Sequence, residues 1–257
     1  MHHTGWGLQG LTCRVGLESG GVDGADYDGC SSSSIDSDVQ SFVGPAMSSA
    51  PYPIEYWSAL TYRPPASPVE LALKVLGERL DSIVQTKVLT PRASAEARPN
   101  SLSSRYGLRE HPPHTDGAHS FRPPRYLIFW MDAIDATHTP TQLRKFDLSA
   151  LEPTFREQFQ RSIWLVRIRS GHYVYVKPIS ENGLHIAWDP GCFQKDVTGA
   201  LRKEVVEEHL SKLASEDFHW EAGRVLVVNN RRTLHSRARV QRPEKYSLRY
   251  LNRALVP

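Results

Sequence analysis

Four side chains of this 257-residue sequence have the types and spacing of a reaction centre. His114-Thr115-Asp116 follows Pro112-Pro113 and stands just ahead of an apolar run. In extended backbone, residues i and i+2 point to the same side. His114 and Asp116 can therefore offer an imidazole nitrogen and a carboxylate oxygen to one point. His235 comes far later, after the apolar run Val225–Val228 and the polar segment Asn229-Asn230-Arg231-Arg232-Thr233-Leu234. As a third ligand it would close one triangular face of a metal site. Two imidazoles and one carboxylate on a single face leave the opposite positions open, an arrangement that suits ferrous iron handling dioxygen. His-x-Asp alone is a weak signal, because so short a motif recurs by chance.

A second element strengthens it. Arg249 follows His235, and Arg253 comes shortly after. Along a strand Arg249, Leu251 and Arg253 share one face. A guanidinium turned toward a protein interior is costly without an anion, and a carboxylate is its natural bidentate partner. A metal face beside a carboxylate anchor fits a 2-oxo acid. The keto oxygen and its neighbouring carboxylate would chelate the ion while the far carboxylate reaches the arginine.

The elements that must position these groups are mostly short strands. Tyr126–Met131, Ser162–Arg169, His172–Lys177, Leu184–Trp188, Val225–Asn229 and Ser247–Leu251 have strand character, and Ser170-Gly171 reads as a tight turn between two of them. Helices are few. Ser67 can cap a helix that begins at Pro68, with Glu70 completing a capping box. Val69, Leu73, Leu76, Leu80 and Ile83 then give it one apolar face for covering a sheet. A second helix lies within Val197–Ala214, where Leu201, Val205, Val206, Leu210 and Leu213 share a face. Residues 88–112, with Pro91, Pro99 and Pro112, form an irregular approach to the His-x-Asp segment. Many strands without strand–helix alternation predict a mainly β chain with flanking helices, an antiparallel barrel or sandwich rather than a doubly wound sheet.

Composition sets the class. A hydrophobic fraction of 40% is that of a folded globular chain. Residues 1–50 hold nine Gly and nine Ser and sustain no apolar period, which predicts a flexible or loosely packed leader before a single domain over 51–257. The chain has no apolar stretch of membrane-spanning length and no secretory pattern at its start. Cys13, Cys30 and Cys192 form neither a disulfide framework nor a Cys-x-x-Cys pair, which points to a reducing, cytoplasmic setting. Residues 1–60 carry one base, Arg14, against seven acids, so the net +3 conceals a basic remainder. The bases Arg231, Arg232, Arg237, Arg239 and Arg242 lack the interleaved aromatics of a nucleic-acid surface and read as a solvated or ion-paired face. Neither nucleic acid nor a membrane is expected as a partner; a small-molecule substrate is. Trp130, Trp164, Trp188 and Trp220 read as core. His111 and His119 flank the motif near enough to touch substrate, as do Asn100 and Arg105 in the approach segment.

The blocks Pro113-His114-Thr115-Asp116-Gly117-Ala118 and Pro123-Pro124-Arg125-Tyr126-Leu127 resemble the first half of the TauD/TfdA and clavaminate synthase-like family of Fe(II)/2-oxoglutarate dioxygenases. Trp220 through Arg237, ending Asn230-Arg231-Arg232-Thr233-Leu234-His235-Ser236-Arg237, resembles its second half. The resemblance covers about residues 100–257. It implies a double-stranded β-helix (jelly-roll, cupin-like) core, with His114, Asp116 and His235 as iron ligands and Arg249 as the 2-oxoglutarate carboxylate partner. It further implies a supporting threonine, Thr141 or its neighbour Thr139, and Arg253 as an arginine for an amino-acid-like substrate. Fe(2+), 2-oxoglutarate and O2 are the implied cofactor and cosubstrates. The implied reaction couples decarboxylation of 2-oxoglutarate to oxidation of a C–H bond, by default hydroxylation, of a small polar metabolite or natural-product intermediate. Because Asp116 is present, the resemblance disfavours halogenation. Two other readings compete: a catalytically inactive metabolite-binding protein of the same fold, and a zinc hydrolase on the same three ligands, which would have no use for Arg249.

Overall fold

The structure, a computed structural model, describes residues 54–63, 65–99, 101–120, 122–131, 139–168, 171–240 and 251–256, which fall within one compact unit. The expected leader over residues 1–50, Asn100, Arg249 and positions 247–250 of the expected last strand lie outside these residues.

The apolar run Tyr126–Trp130 (β3) is the organising strand, and all five of its residues are buried. It pairs antiparallel with Arg224–Asn229 (β9) on one side and with Leu251–Val256 (β11) on the other. Trp57–Thr61 (β1) and Gln85–Leu89 (β2) complete the sheet as its edges, in the order β1-β9-β3-β11-β2. A strand covered on both faces needs side chains that alternate between two cores. Tyr126, Ile128 and Trp130 pack with Ala72 and Leu73 of the helix Pro68–Leu76 (α1). Leu127, Phe129 and Met131 pack instead with Leu143, Phe218 and Trp220. Each such large side chain contributes about 1.5–3 kcal/mol when taken out of water.

Leu143, Phe218 and His235 belong to the facing sheet, Thr233–Arg237 (β10), Thr141–Lys145 (β4) and Ser215–Phe218 (β8), in the order β10-β4-β8. Tyr173–Val176 (β6), Trp164–Arg167 (β5) and Phe193–Asp196 (β7) form a third sheet, again antiparallel. Its core of Trp164, Trp188 and Phe193 is covered by the helices Pro153–Arg161 (α3) and Lys203–Ser211 (α4) through Phe155, Phe159, Val206 and Leu210. The chain is thus mainly β with flanking helices, as expected, and the four tryptophans read as core are buried. Among the described residues no helix is long and apolar enough to cross a membrane.

Three expectations change. The first helix stops at Leu76 because Gly77 takes a left-handed cap (φ 69°), which leaves Leu80 60% exposed rather than on an apolar face. Its start at Ser67 and Pro68 is as read, with the Ser67 hydroxyl accepting the Glu70 amide at 3.3 Å, the Ser67 half of the expected capping box. Leu184–Trp188 is no strand, only a bridge between Ile186 and Ile179. Its amides bond to different segments, Ile186 to the Arg231 carbonyl and Ala187 to Pro178. The last strand extends beyond Leu251 to Val256.

Candidate metal centre

His114 and His235 meet by backbone hydrogen bonding. Each donates its amide to the other's carbonyl, at 3.0 and 2.9 Å, in an isolated antiparallel bridge. Their rings lie 4.4 Å apart between centroids. Alternation sends Thr115 the opposite way. Its amide donates to the Trp188 carbonyl at 2.7 Å, and its hydroxyl accepts the Trp188 amide at 2.9 Å, anchoring the segment in the core. Asp116 then returns to the side of His114. The chain turns sharply after it at Gly117 (φ 70°), where a Cβ would come 2.8 Å from Pro124. One donor atom from each of His114, Asp116 and His235 lies within 4.8 Å of the others.

The hydrogen bonds suit a cation there. His114 Nδ1 lies 3.0 Å from the Pro112 carbonyl, which fixes the proton on that nitrogen and leaves Nε2 with its lone pair. Asp116 Oδ2 lies 3.8 Å from His235 Nε2 and pairs with the Arg253 guanidinium. Burial raises the Asp116 carboxyl, but Arg253 first, then His235 and His114, outweigh it and hold it at about 2. Asp116 is therefore an anion at any physiological pH. Burial, helped by His114 and Arg253 and opposed by Asp116, depresses His235 to about 3, so its imidazole is neutral. A neutral imidazole at His235 and an ionised carboxylate at Asp116 are protonation states that ligation requires.

Asn230, only 1% exposed, ties this segment to the turn before β10. Its side-chain carbonyl accepts the Asp116 amide at 2.8 Å, and its amide donates to the Asp116 and Pro124 carbonyls, both at 2.9 Å. Asn230→Ala is expected to weaken ferrous-ion binding about 10–100-fold, the usual effect of losing an orienting partner. Anaerobic ferrous titration checks this, with a denaturation curve to show that the variant is folded.

The centre opens into a cavity of about 770 Å³. Of the residues singled out in the sequence, His111, His114, Asp116, His119, Thr139, Thr141, His235 and Arg253 line it. Thr141 stands on β4 opposite Arg237, beside His235 on β10, and its hydroxyl accepts Trp220 Nε1 at 3.1 Å, leaving its proton to donate elsewhere. Arg105 is placed differently: it donates to the Pro190 carbonyl at 2.7 Å and does not border the cavity. The approach segment does, through Pro91, Arg92, Pro99 and Ser101 among others.

Asp189 was not anticipated. It lines the cavity, and with His119 and Cys192 it forms a second group whose donor atoms lie within 4.8 Å. Burial, then Asp189, pushes the Cys192 thiol far up, so it stays protonated and makes a poor ligand. Asp189 is itself raised, by burial first and by Asp116, against the lowering influence of His114 and the Gly191 amide. The Asp189-Pro190-Gly191 turn was the available signal. The Gly191 amide donates to Asp189 Oδ1 at 2.7 Å, where a Cβ on Gly191 would come 2.9 Å from that oxygen.

His111 also faces the cavity, with Nε2 buried and unpartnered, and burial followed by Arg237 depresses it to about 3. His111 and His235 both sit below the ordinary 6.5. As pH falls below 6.5, the unfolded chain takes up their protons while the folded chain does not. Their contribution to stability is whole above about pH 6.5 and is lost progressively toward pH 3, at up to about 1.4 kcal/mol per pH unit for each histidine. Asp189 acts in the opposite sense, so the decisive comparison keeps it constant. Urea midpoints of metal-free protein at pH 7.5 and 5.5 are expected to differ less in His111→Gln than in the parent.

No protein-family model and no curated protein sequence matches the chain. Solved structures do. An asparagine oxygenase in complex with Fe(II), 2S,3S-3-hydroxyasparagine and succinate is 16% identical, with a TM-score of 0.54 over 66% of this chain and 56% of that one. The non-haem iron oxygenase OrfP, in complex with Fe, succinate and (3S)-hydroxy-L-Arg, is 19% identical, with a TM-score of 0.54 over 74% and 63%. An OrfP variant with (3S)-hydroxy-L-Arg gives 18% and 0.56 over 78% and 74%. The chain thus has the fold of these non-haem iron oxygenases, and it spans 56% and 63% of the length of the first two.

Proposed function

We propose that this protein is an Fe(II)/2-oxoglutarate-dependent dioxygenase that hydroxylates a C–H bond of a small, amino-acid-like metabolite and releases succinate and carbon dioxide. The observation that carries this reading is the convergence of His114, Asp116 and His235 on the wall of one large cavity. Two imidazoles and one carboxylate, with a cavity on their open side, match the donor set of ferrous oxygenases. The facing antiparallel sheets support a jelly-roll core around it.

When bound, iron and 2-oxoglutarate would supply the dioxygen activation and the reducing electrons. The chain's own residues do the rest. The Pro112 carbonyl holds the proton on His114 Nδ1, so Nε2 is the nitrogen that would take the ion. Asp116 supplies a fixed negative charge. Thr141 would donate its hydroxyl proton to the far carboxylate of 2-oxoglutarate, and Arg249 would be its charged partner. Arg253 has five donors in a planar fork and engages Asp116 with only part of it. Its remaining donors take the carboxylate of an amino-acid substrate. Asp189, half-buried on the cavity wall, is the natural partner for a cationic group of that substrate, because burial works against its negative charge and an ammonium or guanidinium would stabilise it. Asparagine oxygenase and OrfP, crystallised with hydroxylated amino acids, support this substrate class.

Anaerobic addition of ferrous ion and 2-oxoglutarate is expected to give a weak visible charge-transfer band. Amino acids screened under air are expected to include one that releases succinate with a product heavier by one oxygen. A protein that gives no band and does not bind 2-oxoglutarate refutes the assignment. Once the substrate is known, Asp189→Asn is expected to raise its KM at least about tenfold, the cost of an unanswered charge-assisted contact, with 2-oxoglutarate affinity unchanged.

A further inference from the structure

A second depression, of about 350 Å³, shares no lining residue with the large cavity. Ile54, Glu55, Arg125, His185, Arg231 and Arg232 border it, with Asn229. Three arginines and one glutamate therefore line it. Glu55 is engaged by Arg232 at 3.0 Å, and Arg232 also lies over the Tyr56 ring. Arg125 rests on the Tyr126 ring, 5.1 Å from its centroid, and Arg231 donates to the Pro123 carbonyl at 3.4 Å. Among the described residues no carboxylate pairs with either of these two.

The backbone holds the cations together. The Asn230 amide donates to the Arg125 carbonyl, the Ile186 amide to the Arg231 carbonyl, both at 2.8 Å, and the Arg231 amide to Asn229 Oδ1 at 3.2 Å. Arg125, His185 and Arg231 thus sit on, or next to, directly hydrogen-bonded segments, and their proximity is built into the fold. The charges repel one another. Burial, then Arg231, Arg232 and Arg125, depresses His185, and burial, then Arg125, depresses Arg231. Like charges gathered in a partly buried place are costly unless an anion joins them.

We propose that this depression binds a doubly charged oxyanion, the phosphoryl group of a small phosphate monoester. Two guanidinium groups without a carboxylate match a charge of about −1.5 to −2 at pH 7, the charge of such a group. Arginine forks match its oxygens in pairs, which a monocarboxylate satisfies only once. The depression has more room than a bare phosphate fills, and Ile54 gives the organic part an apolar wall. Free phosphate carries the same recognised chemistry.

Calorimetric titration of the full chain with glycerol 3-phosphate, inorganic phosphate and glycerol, at constant ionic strength, tests the site and its source of phosphoryl group. Glycerol 3-phosphate is expected to bind one to one and more tightly than phosphate, and glycerol not at all. Equal binding of the two anions would identify the free ion as the ligand of the same site. Arg125→Gln and Arg231→Gln are each expected to weaken binding at least about tenfold. Arg92→Gln, an exposed arginine bordering the large cavity, is expected to leave binding unchanged. Arg125 is exposed, so its replacement leaves the core intact; thermal melts of each variant check this. Absence of binding by either anion overturns the proposal. So does binding that survives both Arg125→Gln and Arg231→Gln, or that Arg92→Gln abolishes equally.

Discussion

Asp116→Ala is expected to abolish the charge-transfer band with ferrous ion and 2-oxoglutarate and to lower succinate release by about a thousandfold or more, the scale of losing a catalytic metal. With Asp116 gone, two imidazoles and no anionic donor remain for a cation, and the Arg253 guanidinium stays at the site with no counter-charge. That guanidinium would repel the incoming ion. A band that persists in Asp116→Ala means that the carboxylate is not a ligand.

The same substitution is expected to destabilise the fold, and a double variant separates the two effects. Asp116 and Arg253 side chains are 15% and 14% exposed. Removing one partner of a pair buried to this degree costs about 3–5 kcal/mol, whereas replacing both by apolar groups is close to neutral. Asp116→Ala with Arg253→Met is therefore expected to recover most of the urea midpoint and none of the band. If the double variant remains as unstable as the single one, the loss arises from the bridge between the His114 and His235 backbones and not from the ion pair.

The residues of the centre were legible because the chemistry of a metal face depends on local alternation. His-x-Asp on extended backbone puts two candidate ligands on one side, and the third, His235, was found through the resemblance of its block, since its own strand β10 is polar. The buried run Tyr126–Trp130 and the capped start at Ser67 were legible for the same reason, since each signal lies within a few residues. What could not be read lies in pairings between distant segments. Arg253 and Asp116 are separated by 137 positions, and no periodicity links them. Thr141–Lys145 and Thr233–Arg237 are polar in sequence and became strands because they pair with each other, with β8 beyond β4. Asp189 resembled an ordinary turn acid until burial placed it on the cavity wall. Leu184–Trp188 failed in the other direction: its apolar residues are partly core, yet its backbone finds no single partner strand.

Arg249→Ala is expected to weaken 2-oxoglutarate binding about a hundredfold while leaving ferrous affinity within about threefold, since losing one partner of a charge-assisted pair costs about 2–5 kcal/mol. A diacid chelated at one end leaves its other carboxylate for a guanidinium, and Arg249 is the arginine proposed to take it. Arg253 already engages Asp116. Its removal is thus expected to act on the ligand: Asp116 loses the main influence that offsets its burial, its carboxyl rises from about 2, and ferrous binding becomes weaker below about pH 5 than in the parent. Arg249→Ala should show no such acid sensitivity. Titrating both variants with ferrous ion and with 2-oxoglutarate at pH 7.5 and 5 gives the four affinities needed. Should Arg253→Ala lose 2-oxoglutarate and Arg249→Ala keep it, the two assignments exchange, and the substrate carboxylate would have to be held by another base on the cavity wall.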